Sequence, residues 1–170
     1  MNFLTREMIA QGLGILAFVI SLVGYTSTSD RRLKVMMTSG LVVLTVHFLF
    51  FGAWLVALSL GLNIARTWLS IYRKGIRWFV GVALIQLALS LPLVEGIRDV
   101  FPIAGSIVGS YGLLCLSGVK LRAAMLITTS FWFVSNLLWG SIGAVMLDIM
   151  NASAHLFAMY RIQQTTRKEN

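Results

Sequence analysis

Charge is scarce in this chain. Only 12% of its 170 residues are charged, and 6 of those are acidic. A soluble domain carries roughly 25% charged residues, so this chain cannot cover a globule with a solvated surface. Cysteine occurs once, as Cys115 inside an apolar run. One thiol excludes an intramolecular disulfide and a cysteine-based metal cage; as a small buried hydrophobe it needs no further role. HExxH, GxSxG and Walker A patterns are missing, as are paired catalytic carboxylates. His47, Asp148 and His155 fall at different predicted depths, so they do not form a metal cage. We therefore expect no enzyme, no cofactor and no metal. A nucleic-acid binder needs a continuous basic face with exposed aromatics. The basic residues here cluster between apolar runs instead.

What is abundant is apolar sequence. Hydrophobic residues make up 58% of the chain, and the mean hydropathy is +0.84. The solvent for most of it must be lipid. Arg6 followed by an apolar run resembles a signal peptide. The run is about twice the usual apolar length of such peptides and more runs follow, so it reads as a first retained span.

Uncharged runs cover 8–29, 35–65, 78–94, 100–119 and 123–147. A membrane helix needs about 20 residues at 1.5 Å rise each. Two stretches, 35–72 and 123–160, are too long for one helix and suit two joined by a tight turn. Gly52 and Gly140 sit near their middles, where a turn can fall. The expected spans are then 8–28, 34–52, 55–72, 77–94, 101–119, 122–140 and 144–161. With seven spans, one side receives 11 basic residues and the other only Arg6 and Arg98, together with Glu7, Glu95, Asp99 and Asp148. The positive-inside rule gives N-terminus out and C-terminus in.

An overlay of the chain on itself at a lag of 88 aligns residues 15–73 with 103–161 without a gap. The 11 identical pairs include Gly24/Gly112, Gly52/Gly140, Asn63/Asn151, Tyr72/Tyr160 and Arg73/Arg161, where chance gives about 4. The expected fold is all-α and membrane-integral, a single domain over 1–170. Repeat one covers 8–73, a linker helix 77–94, repeat two 101–161 and a cytoplasmic tail 162–170. An odd linker helix makes the two three-helix repeats parallel, a plan that places a substrate site near the midplane between copies.

This 3+1+3 arrangement resembles the SWEET transporters and the wider PQ-loop (MtN3-like) group. The segments GYTSTSDRRLK and HFLFFGAW, followed by Asn63 and Arg66, resemble more closely the YgjV-type proteins of the bacterial inner membrane. The resemblance implies a multi-pass inner-membrane protein. In the SWEET group an Asn in the third helix of each repeat faces the central pocket; Asn63 and Asn151 fall at that place. The group's Pro hinge in the first helix of each repeat is missing here, since the only prolines are Pro92 and Pro102. Gly24 and Gly112 occupy the inner part of those helices and are the candidate hinges.

Polar groups inside a membrane usually face a bundle interior or a cavity. Asn63 and Thr67 share one helical face at i, i+4, and Asn151 and His155 repeat the spacing. Two such faces can converge on a polar solute, because an amide both donates and accepts. The alternative is hydrogen bonding between helices. Arg66, whose repeat partner is Ala154, either snorkels to the interface or selects an anionic solute. Asp148 lies about 9 Å in level from Arg66, which argues against a direct pair and leaves the two as opposite ends of one pathway. His47 either bonds a neighbouring helix or joins a substrate path, and the same choice holds for Ser135 and Asn136. Trp54, Trp68, Trp78, Trp139 and Tyr160 fit an interfacial belt, and Trp132 fits packing.

The expected function is a SWEET-like transporter or facilitator of a small polar solute, anionic or sugar-like, working by alternating access between the repeats. The alternative is a non-transporting receptor or assembly protein with the same fold. The expected partners are the lipid bilayer and the solute, and two repeats in one chain need no second copy to complete a pore.

Overall fold

A computed structural model describes residues 3–25 and 30–169, with side chains at 8–21, 38–70, 72–160 and 162–164. Among these residues every regular element is helical. The helices are α1 (Phe3–Tyr25), α2 (Asp30–Phe51), α3 (Trp54–Tyr72), α4 (Ile76–Ser90), α5 (Ile97–Cys115), α6 (Gly118–Leu138) and α7 (Ile142–Glu169). A short 3-10 turn, Leu91–Leu93, follows α4. Each helix overlies one of the expected apolar runs. Three are long and apolar enough by themselves to cross a bilayer, over Ile76–Leu93, Gly118–Leu138 and Ile142–Gln164.

Both long uncharged stretches break where glycine permits it. Gly52 and Gly140 take φ of 75° and 65°, a region that favours glycine. Gly52 N–H donates to Leu49 O at 3.1 Å and Ala53 N–H to Phe48 O at 2.9 Å. Gly140 and Ser141 make the corresponding bonds to Leu137 O and Asn136 O, each at 3.0 Å. These are Schellman caps, which satisfy the last carbonyls of a helix and turn the chain back. At the start of α5, the Asp99 carboxylate accepts from Glu95 N at 2.9 Å and Gly96 N at 3.1 Å. It thereby satisfies N–H groups that the helix leaves free.

Close packing sets which helices are neighbours. Small residues let helices approach where lipid supplies no hydrophobic drive between them. On α1 and α2, Gly14 lies against the ring of His47 and Gly40 against Ser21. On α5 and α6, Gly105 lies against Trp132 and Gly112 against Met125. The two antiparallel pairs share one register once residues are shifted by 88. The contacts run α1–α2–α3–α5–α6–α7 and back to α1, with α4 outside the ring against α3 and α5. At one end of the ring, Ala53, Val56, Ala57 and Leu60 of the α2–α3 corner pack with Trp132, Ala144 and Leu147.

Burial is inverted relative to a water-soluble protein. Ser59, Ser90, Ser106, Ser135, Ser141 and His47 are fully buried, while Leu84, Leu91, Ile142 and Phe157 are about 60% exposed. Apolar surface of that kind faces hydrocarbon in a bilayer, and polar groups must then be satisfied inside. Thr45, Ser110 and Thr128 do so by donating to the carbonyl four residues earlier. Gln86 of α4 donates to Ser59 of α3 at 3.1 Å, which holds α4 to the ring.

Candidate functional site

The ring encloses a cavity of about 350 Å³, to which all six of its helices contribute. A volume of that size suits a small metabolite. Its deep end lies at Leu147 and Asp148, beside the packed corner at Ala53–Leu60. Its other end reaches Leu113, in the last turn of α5, and Leu121 and Arg122, in the first turns of α6. The cavity therefore runs from mid-bundle to the end where the α5–α6 connection lies.

Five of the expected site residues line it. Asn63, Arg66 and Thr67 come from α3, and Asn151 and His155 from α7. The i, i+4 spacing turns each set inward on its own helix. Asn63 and Arg66 are buried, and Asn63 Oδ1 has no hydrogen-bond partner. Thr67 Oγ1 donates to Asn63 O at 2.7 Å, so its proton is committed to the backbone. His155 is half-buried, and its Nδ1 is without a partner.

Arg66 does not snorkel. Its Nη1 donates to Ser106 O and to Ser110 Oγ, the latter at 2.9 Å. Gly109 makes this approach sterically feasible: a methyl group there would sit 2.7 Å from Nη2 and 2.9 Å from Nη1. Ser106, Gly109 and Ser110 form a cradle on α5 that anchors one edge of the guanidinium, while Nε has no partner. Nearer the mouth of the same seam, Lys74 Nζ donates to Leu113 O.

His47 lies elsewhere. It is fully buried, outside the cavity, and bonded at both ring nitrogens. Nδ1 stands 2.5 Å from Ala10 O, which can only accept, so Nδ1 carries the proton. In the neutral ring Nε2 then accepts from Ser141 Oγ at 2.7 Å. Ser141 also caps α7, with Ala144 N at 3.4 Å. Gln11 bridges α1 to the same corner through Gly140 O at 2.8 Å. A methyl group on Gly143 would overlap the backbone of Gly14. Together these contacts close the deep end between α1, α2 and α7.

Of the candidate hinges, Gly112 lies within the uninterrupted helix α5, packed on Met125 and Ala124. The surroundings of Gly24 lie outside the described residues. Trp132 is buried in the core cluster.

Sequence reasoning did not place Asn136 and Asp148 together. Asn136 Nδ2 donates to Asp148 Oδ2 at 2.6 Å, both residues are buried, and both line the cavity. Asn136 Oδ1 remains without a partner. The available signal was the rarity of the groups: Asp148 is the one acid between Asp99 and Glu169. Among the described residues, no group of three or more His, Cys, Asp or Glu side chains could hold a metal ion.

Helices that expose apolar side chains while burying serine, histidine and amide groups fit a multi-pass membrane protein. The chain belongs to the family described as bacterial inner membrane protein, Imp-YgjV, which matches residues 8–166. It is 26% identical over 166 residues to Inner membrane protein YgjV of Escherichia coli (strain K12), covering 95% of this chain and 90% of that protein. No solved structure matches. The chain is thus a protein of the bacterial inner membrane.

Proposed function

We propose that the protein is a SWEET-like carrier or facilitator for a small polar solute. In this reading all seven helices span the membrane as two parallel triplets about α4, with the N-terminus outside and the C-terminus inside. The observation that carries the proposal is the cavity, closed at one end and lined by polar groups from both triplets. The equal registers of α1–α2 and α5–α6 and the matched Schellman turns support the repeat. The seams α3–α5 and α7–α1 exchange under the same shift. Alternating access then consists of opening one seam end while the other closes. The proposal assigns no catalytic step to the chain.

Thermal stabilisation of the purified protein across a metabolite panel tests this. A solute that raises Tm in the parent but not in the Asn63→Ala, Asn151→Ala double variant supports the site. Stabilisation that survives the double change removes these residues from it. If no solute binds, the carrier reading fails.

A further inference from the structure

We propose that the cavity is built for a small zwitterion, its ammonium group deep against Asp148 and its carboxylate toward the mouth against Arg66. The proposal rests on the solute-carrier reading and specifies the solute. An acidic and a basic side chain line one cavity on facing helices, Asp148 on α7 and Arg66 on α3. Each is held by neutral groups: Asp148 by the Asn136 amide, Arg66 by Ser106 and Ser110. A charge removed from water is costly unless it is paired. The two residues are held against different helices, Arg66 by Ser106 and Ser110 on α5 and Asp148 by Asn136 on α6. A solute carrying both charges gives its ammonium to the acid and its carboxylate to the guanidinium at once, whereas an anion, a cation or a sugar engages at most one of the two as an ion pair.

Among the cavity-lining residues the unpartnered buried side-chain atoms are Asn136 Oδ1, Asn63 Oδ1, Arg66 Nε and His155 Nδ1, and Asn136 is the one bonded to Asp148. Asn136 presents its amide nitrogen to the Asp148 carboxyl group and keeps its oxygen unpartnered. Carboxylate and amide oxygens together match the three donors of an ammonium group. At Arg66 the cradle occupies Nη1 and packs Nη2 against Gly109, leaving Nε as the donor without a partner. Arg122 at the mouth extends the positive end. The cavity is thus polarised along its length, acid deep and base near the entrance.

The test uses the full-length protein in detergent and in proteoliposomes. Glycine, β-alanine, γ-aminobutyrate and glycine betaine are compared with propionate, propylamine and glucose, by Tm and by uptake. At least one zwitterion is expected to stabilise the protein and enter vesicles, with each single-charge analogue roughly ten- to hundredfold weaker. Arg66→Gln and Asp148→Asn are each expected to abolish that preference, and Asp148→Glu to restore part of it. Glucose or propionate binding as well as every zwitterion overturns the proposal while leaving the carrier reading intact. An inert panel in the parent protein overturns the proposal without recourse to variants, and a wider metabolite panel then decides the carrier reading separately.

Discussion

Arg66 shows how one side chain is made tolerable inside a membrane. Its guanidinium is anchored by a backbone carbonyl and a serine hydroxyl, and Gly109 leaves the space it occupies. Gly109→Ala puts a methyl group 2.7 Å from Nη2, so the guanidinium must leave its cradle. The expected cost is about 1–3 kcal/mol, typical of overpacking. In an Arg66→Ala background the same change should cost about 1 kcal/mol less, because the clash is gone. Tm of the four proteins gives the coupling, and strictly additive shifts would remove Arg66 from the cradle. His47 makes the contrasting case. Both its nitrogens are spent on Ala10 and Ser141. His47→Phe strands those partners and should destabilise by about 1–3 kcal/mol. Solute stabilisation should persist in that variant, since His47 does not line the cavity. Loss of binding with unchanged Tm would reverse this assignment.

At the level of elements, the two glycine turns carry the hairpins α2–α3 and α6–α7. Nothing lies within 4 Å of a methyl group built on Gly52 or Gly140. Alanine there is penalised by the positive φ alone, by about 1 kcal/mol at each turn. Equal losses of Tm are expected from Gly52→Ala and Gly140→Ala, and a large loss at only one would mean that the turns are not equivalent. These elements were legible in the sequence because run length and charge placement are local signals. Asn63 with Thr67 and Asn151 with His155 were legible for the same reason: i, i+4 spacing defines a face, and here both faces turn to the cavity. Periodicity does not say which neighbour an inward residue meets. It therefore left His47 between two readings and kept Asn136 and Asp148 apart. The His47–Ser141 pairing depends on a seam between helices distant in the chain, where Gly143 meets Gly14, and the Asn136–Asp148 bond on how α7 folds back against α6 about Gly140.

Six of the helices form a ring sealed at one end, where side-chain bonds from Gln11 and His47 meet a backbone contact between Gly14 and Gly143. A methyl group on Gly143 overlaps the carbonyl of Gly14. No rotamer relieves such a clash, so Gly143→Ala must part α1 from α7 at the deep end. In the proposed orientation that end faces the periplasm, and the mouth at Arg122 faces the cytoplasm. Leu147 lines the cavity beside the seal and is a suitable reporter as Leu147→Cys in a Cys115→Ser background. An impermeant thiol reagent should label it in inverted vesicles but not in intact spheroplasts. Adding Gly143→Ala should make it reactive in spheroplasts, provided the variant still migrates as a folded species by size exclusion. Labelling of the parent from the outside alone would invert the orientation. A folded Gly143→Ala protein that stays unreactive from outside would show that the seal does not depend on the α1–α7 contact. The placement argues for the first outcome, since Gln11, His47 and Ser141 all converge on the corner that this one methyl group displaces.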